Sequence, residues 1–336
     1  MVDIKKAISA NSRPDDRDCG KEGPMTENGG PSGPIEHGFP HLATVRASIT
    51  ALFRRLSADG IRAYATSITP ADAAFDATDD LYLGAQRVAA ATVRALRLPD
   101  ARMVVSFRAM EEAATVELAA GPEYFVEVND RFRTHRRDLA AALSHEVAHV
   151  LLHRLDLRCA GAAENELLTD TAAAYLGAGW LLLDAYREDA LTHQRFGYLT
   201  PEEFGYVLAK RAALFGEDPS PWFTSPRAYE AYVRGRALAE RDHRRAPLAA
   251  AGPLARRRYA KARRTAATGT SAVTGSAAAM GAAGDGSAYR FEQDGSGGGL
   301  RVSFPCPVCA QRLRVPVRGR LRARCGLCHS VLDCLT

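Results

Sequence analysis

The sequence predicts an α+β fold: a small mixed sheet, then two helices carrying metal-ligand side chains, then a small β unit near the C-terminus. Three observations predict it. Short segments rich in apolar residues between residues 103 and 128 read as strands. The run His145-Glu146-Val147-Ala148-His149 lies within a helical apolar stripe. Two CxxC pairs, Cys306/Cys309 and Cys325/Cys328, follow some 160 residues later. The 336 residues allow two modest domains plus linkers, and a hydrophobic content of 46% is ordinary for a chain with a sizeable core.

Residues 1–40 are polar, with Lys, Asp, Gly and Pro throughout, and read as a disordered leader. Segments 41–56 and 81–98 look helical. Strands are expected over 103–107, 115–119 and 124–128, the last two joined as a hairpin by the Gly121-Pro122 turn. Leu139, Leu143, Val147, Val150 and Leu151 then form one helical stripe, with no Pro or Gly from Arg131 to Arg158. Glu166-Leu167-Leu168-Thr169-Asp170 opens another apolar helix running to about Tyr186. Thr200-Pro201-Glu202-Glu203 reads as the capped start of a helix over 201–215, and a further helix spans about 227–243.

Two histidines four apart share one helix face, so His145 and His149 can bind a single zinc ion. Glu146 stands beside that metal, where it can take a proton from a zinc-bound water. A hydrolytic zinc normally takes three protein ligands and keeps one position for water. Glu166 and Asp170 are four apart on the next helix and share a face. One carboxylate can complete the site while the other accepts a hydrogen bond from a ligand histidine. The plainer alternative is that Glu164, Glu166 and Asp170 decorate a helix N-terminus, where acids complement the dipole. His153 extends the histidine series, but a rise of about 1.5 Å per residue puts it roughly 12 Å from His145. That is too far for two zinc–nitrogen bonds of about 2 Å.

His145-Glu146-x-x-His149 followed by Glu166-x-x-x-Asp170 resembles the pattern of gluzincin metallopeptidases, over roughly residues 100–186. The resemblance implies a zincin-like domain with His145, His149 and Glu166 as ligands of a catalytic zinc. It also implies Glu146 as general base and Asp170 as the partner of His145. No clear match exists to the downstream His or Tyr that stabilises the oxyanion in that group; His193, Tyr198 and Tyr206 are available. The metzincin pattern lacks its Gly, and the Cys-containing motif of deformylases is absent, Cys159 being isolated.

Cys306-Pro-Val-Cys309 and Cys325-Gly-Leu-Cys328, fifteen residues apart, have the spacing of paired zinc knuckles. Segments 312–317 and 321–324 alternate apolar with basic residues, as short half-buried strands do. The region resembles a zinc ribbon over about residues 301–334. A four-cysteine site is closed, so its zinc is expected to be structural and to supply folding energy to a unit too small for its own core. Two disulfides are the rival reading, set against an expected intracellular location. Cys334 lies outside the tetrad.

The expected layout is a leader (1–40), a zincin-like metallopeptidase domain (41–243), a basic and then Gly/Ala/Ser-rich flexible linker (244–300), and a zinc ribbon (301–336). No N-terminal apolar segment is present, and the longest uncharged apolar run, residues 171–183, is thirteen residues, too few to span a bilayer. A cytoplasmic protein with no membrane partner is expected. Residues 244–336 hold sixteen Lys and Arg against four Asp and Glu, a net of +12, which leaves −7 on residues 1–243 from the whole-chain +5. This basic tail, including Arg256-Arg257-Arg258, is a candidate contact for nucleic acid or an acidic protein. A solvated tail that touches the acidic body is the alternative.

The leading expectation is a zinc-dependent peptidase acting on protein or peptide substrates, its ribbon recruiting a partner or substrate. Glu146 would activate the water and pass the proton to the leaving amine. Residues 124–128 read as an edge strand able to pair with an extended peptide. The pairing of HExxH with a zinc ribbon is also similar to SprT-like proteases acting on nucleic-acid-bound proteins, although that family uses a downstream His where Glu166 stands. Regulatory peptidases that cleave transcriptional repressors resemble the chain at the HExxH helix only. The alternative from another class is a non-catalytic binding protein whose two zinc ions are both structural. An intact Glu146 weighs against it.

Overall fold

In the computed structural model, which describes residues 36–188, 193–194, 196–267, 289–293 and 299–336, the N-terminal periodicity becomes α1 Leu42–Arg62, α2 Pro70–Ala73 and α3 Leu81–Ala95. The Asp80 side chain starts α3 by accepting from the N–H groups of Tyr82 and Leu83. Strands β1 Arg102–Arg108, β2 Ala114–Val116 and β3 Glu123–Asn129 follow and form a sheet in the order β1-β3-β2. The expected hairpin is present, with Thr115 opposite Glu127. The expected edge strand is not: β3 also pairs in parallel with β1, Val105 opposite Val126. Residues 124–128 therefore have both backbone edges occupied and cannot receive a peptide. β2 is shorter than expected because Leu118–Ala120 turns into a 3-10 helix.

The two motif helices are α4 Leu139–Arg154 and α5 Ala162–Leu176. Leu139, Leu143, Val147, Val150 and Leu151 are all 3% exposed or less. Each such side chain contributes about 1.5–3 kcal/mol by leaving water, so packing rather than propensity holds α4. It packs against α3, β2 and α5, while α5 packs against α1, α4 and the later helix Pro201–Phe215. The α5 helix does not run to Tyr186 as its apolar sequence implied. It stops at Gly177, whose φ of +116° is left-handed and where a Cβ would come within 3.0 Å of the Ser67 backbone. α6 Gly179–Asp184, the short strands β4 Arg187–Glu188 and β5 His193–Gln194, α7 Pro201–Phe215 and α8 Pro226–Arg245 complete the body. The Thr200/Glu203 capping box forms at the start of α7 as its sequence indicated.

Part of the stretch read as a linker is regular structure: α9 Pro253–Ala267 and β6 Arg290–Gln293 fall inside it. The rest of its Gly/Ala/Ser-rich portion, residues 268–288 and 294–298, lies outside the described residues, as does the leader to residue 35. Tyr259 of α9 is buried, with ring centroids 5.3 Å from Tyr289 and 5.1 Å from Phe291. That anchor explains how a segment rich in cations forms a docked helix. β6, β7 Leu300–Pro305 and β8 Arg312–Pro316 make an antiparallel sheet, and β9 Arg320–Arg324 pairs with β10 Val331–Leu335. This β unit rests on the helical body. The Thr50 hydroxyl donates to the Cys309 carbonyl at 2.7 Å, the Lys210 ammonium to the Pro307 carbonyl at 2.5 Å, and the Leu335 N–H to the Pro247 carbonyl at 3.0 Å. Among the described residues, no helix is long and apolar enough to cross a membrane.

Candidate metal centres

The i, i+4 spacing on α4 turns His145 and His149 to one side, and α5 brings Glu166 to meet them. The two histidine Nε2 atoms are 3.1 Å apart. Oε2 of Glu166 is 3.2 Å from Nε2 of His145 and 3.4 Å from Nε2 of His149. Donors at about 2.0–2.1 Å around a tetrahedral ion lie about 3.3 Å from one another. The three edges thus fit one zinc-sized cation. Relative exposures of 13%, 23% and 26% for the His145, His149 and Glu166 side chains leave one side of the group facing solvent. Glu164 and His153 stand outside this group, and His153 is exposed.

Each imidazole is held from behind. Nδ1 of His145 is 2.9 Å from Oδ1 of the fully buried Asp170. Facing a carboxylate, Nδ1 is a donor, which leaves Nε2 as the ring atom turned to the site. Nδ1 of His149 is 3.3 Å from the Thr169 hydroxyl, which itself donates to the Asn165 carbonyl at 2.9 Å. The Thr169 oxygen therefore accepts from His149. Sequence reasoning missed Thr169, although it lies three residues after Glu166 and so on the same face. It also missed the loop before α7, where the N–H groups of Tyr198 and Leu199 donate to Oδ2 of Asp170 at 2.5 and 3.1 Å. The available signal was Gly197. Its φ is +82°, and a Cβ there would come within 2.3 Å of Oδ1 of Asp170. Of the other residues weighed at the site, Tyr206 is committed through its hydroxyl to Asp242 and Arg46. Tyr198 offers its backbone to Asp170, and the side chain of His193 lies outside the described residues.

The electrostatics are those of two imidazoles facing one carboxylate. Burial works to lower the pKa of His145, yet bonds to Asp170 and Glu166 raise it well above its ordinary value. Burial pushes Glu166 up, but its hydrogen bonds with His145 and His149 prevail and hold it at about 2. Glu146, only 7% exposed, is raised by burial against the pull of both histidines. A cation bound at the three converging atoms would compete with protons for them.

The second group is Cys306, Cys309, Cys325 and Cys328, all buried, with sulfurs within 4.8 Å of one another. Sγ of Cys306 is 3.6 Å from that of Cys328, and Sγ of Cys309 is 3.5 Å from that of Cys325. Tetrahedral zinc–sulfur bonds of about 2.3 Å give edges of about 3.8 Å, whereas a disulfide needs about 2.05 Å. All four thiols are free. The two CxxC turns match: the Ala310 N–H donates to the Cys306 carbonyl and the His329 N–H to the Cys325 carbonyl, at φ values of +58° and +62°. A small β region carrying this buried cluster is compatible with a zinc ribbon, and the cluster can hold a metal ion such as zinc. Comparison with family models, curated proteins and solved structures gives no match to the chain.

Proposed function

We propose that the chain is a zinc-dependent peptidase of gluzincin type. The convergence of His145, His149 and Glu166 at zinc-ligand spacing, beside the buried Glu146, supports this reading. Those three residues would hold the ion. Zinc bound there supplies a Lewis acid that acidifies a water and polarises the scissile carbonyl. Asp170 and Thr169 keep both Nε2 atoms turned inward. Glu146 takes the proton of the attacking water on its carboxylate and delivers it to the leaving amine nitrogen. β2, at the sheet edge and packed on α4, takes the place of β3 as the strand that an extended peptide would join.

Zinc content and peptide hydrolysis, measured on the same preparations, test the proposal. The full chain is expected to hold one zinc at each of its two ligand groups. Glu166→Ala should retain only the zinc of the cysteines. Glu146→Gln should keep both ions and lose hydrolysis by roughly 10²–10⁴-fold. Full activity in Glu146→Gln ends the mechanism, and zinc at the cysteines alone leaves the non-catalytic scaffold.

A second reading rests on the exposed cations of α9, Arg256, Arg257, Lys261 and Arg263, and on Arg320, Arg322 and Arg324 at alternate exposed positions of β9. Such a surface would recruit substrates bound to nucleic acid, as in the SprT-like alternative. Against that alternative stands Glu166 in the place of a third His. It predicts duplex DNA binding that weakens by orders of magnitude between about 50 and 200 mM salt. Absence of such binding would leave an acidic protein as the partner of the tail.

A further inference from the structure

The sheet β6-β7-β8 has one apolar face and one cationic face. Phe291, Val302 and Val315 are in register across the three strands, as are Phe304 and Leu313, and these five share the inner side. Side chains alternate along a strand, so the residues between them take the outer side. There Arg290 stands opposite Ser303, and Ser303 opposite Arg314. Neighbouring strands lie about 4.8 Å apart, which sets the backbones of the two arginines about 10 Å apart with the serine between them. Arg312, on the same side of β8, sends Nη1 to the Ser303 hydroxyl at 3.1 Å. Two arginines thus flank a buried serine and a third covers it. All three arginines are exposed. Arg301 and Glu292, opposite each other, belong to the same face. Glu292 is the one acid on it among the described residues, and it accepts from Arg314 at 2.8 Å. Burial lowers the pKa of Arg312, and the charge of Arg290 lowers it further against the pull of Glu292. Like charges held side by side on a surface repel, and a bound anion relieves them.

The make-up of the face selects the anion. Its cations are all arginines, and the chain has no lysine beyond Lys261. A planar guanidinium matches phosphate oxygens two at a time. The uncharged residues of the face are Ser303, Pro305 and Pro316, so it offers no aromatic ring. A protein partner needs an apolar or aromatic centre to pack on, and a single strand needs rings to stack its bases. A duplex backbone needs only cations and hydrogen-bond donors. The cations of α9 lie across the sheet, because Tyr259 packs on Phe291 of the inner side at 5.1 Å. We propose, resting on the nucleic-acid reading of the basic tail and on neither metal nor hydrolysis, that the outer face of β6-β7-β8 seats the phosphate backbone of a duplex. Arg290, Arg312 and Arg314 are its phosphate contacts.

Binding of the full chain to a fluorescent DNA duplex of about 20 base pairs, followed by anisotropy from about 50 to 200 mM salt, tests this. Each phosphate contact adds about 0.9 to the slope of log affinity against log salt. Arg290→Gln/Arg314→Gln should make the slope about two units shallower. Arg290→Gln alone, at an exposed position with no carboxylate partner among the described residues, should remove about one unit and leave the fold intact. A wild-type slope in both variants overturns the role of this face. Duplex binding would then belong to the other cations, and Arg256→Gln/Arg257→Gln would be the variant that loses slope. No binding by the wild-type chain at about 50 mM salt ends the nucleic-acid reading and the proposal together. Tighter binding of a single strand of equal length, or of polyglutamate, overturns the duplex as partner.

Discussion

Oδ1 of Asp170 lies 2.9 Å from Nδ1 of His145, and the rest of its carboxylate is equally engaged, Oδ2 accepting from the backbone of Tyr198 and Leu199. Three donors thus converge on one buried carboxylate. It therefore sets the tautomer of the ring as well as its direction. This one side chain ties together α4, α5 and the loop before α7, so the geometry of the His/His/Glu group depends on all three.

Asp170→Asn tests that dependence with little change in volume. The amide brings its own N–H donors, so it no longer imposes one tautomer on His145. Zinc affinity at the His/His/Glu group is expected to fall about 10–100-fold with the fold retained. Competition against a chelator of known affinity reads the change. Wild-type affinity would show that Asp170 serves the loop and not the ring.

Gly197→Ala probes the same contact from the other side. A left-handed φ of +82° costs a non-glycine residue about 1–2 kcal/mol by itself. The added Cβ would also meet the Asp170 carboxylate at 2.3 Å, and one of the two must move. Thermal unfolding should shift down by several degrees, and zinc retention at the His/His/Glu group should fall with it. A variant with native melting temperature and native zinc retention would mean that the loop yields freely.

The parts of the structure legible in the sequence are those whose logic is local. His145 and His149 share a face because of their spacing on one helix, and the Thr200/Glu203 box is written within four residues. Each CxxC turn is equally local. Non-local relations escape such reasoning. The apolar run over 124–128 marks a strand but does not say how many neighbours it has, and β3 has two. Thr169 escapes notice because its role depends on the rotamer of a histidine twenty residues earlier. The cations of α9 conceal a helix whose stability comes from Tyr259 packing on aromatic rings far along the chain.

Asp242 lies behind the joint between the body and the β unit. It accepts from Arg46 at 2.6 Å and from the Tyr206 hydroxyl at 2.8 Å, and stands 3.7 Å from the Lys210 ammonium. Burial already holds Lys210 below its ordinary pKa. Asp242→Ala strands that cation, and breaking a buried pair costs about 3–5 kcal/mol. The low end is expected because Arg46 remains about a third exposed. Adding Lys210→Met should recover part of the loss, since charge and counter-charge then leave together. Denaturant midpoints of the two single variants and the double variant decide it, and purely additive losses would show that the two residues do not act as a pair.

The burial of the β unit against the helices predicts how the protein melts. Val302, Phe304 and Cys309 are completely buried and belong to the same apolar cluster as Phe53, Tyr175 and Leu208 of the body. A ribbon on a free tether would lose its metal and unfold without consequence for the rest. In this arrangement, the binding free energy of a metal at the tetrad would be shared with the helical core. Cys309→Ser should therefore lower the melting temperature of the whole chain in a single calorimetric transition. Two separated transitions, the upper one at its native temperature, would mean that body and ribbon fold independently despite the contacts at Thr50 and Lys210.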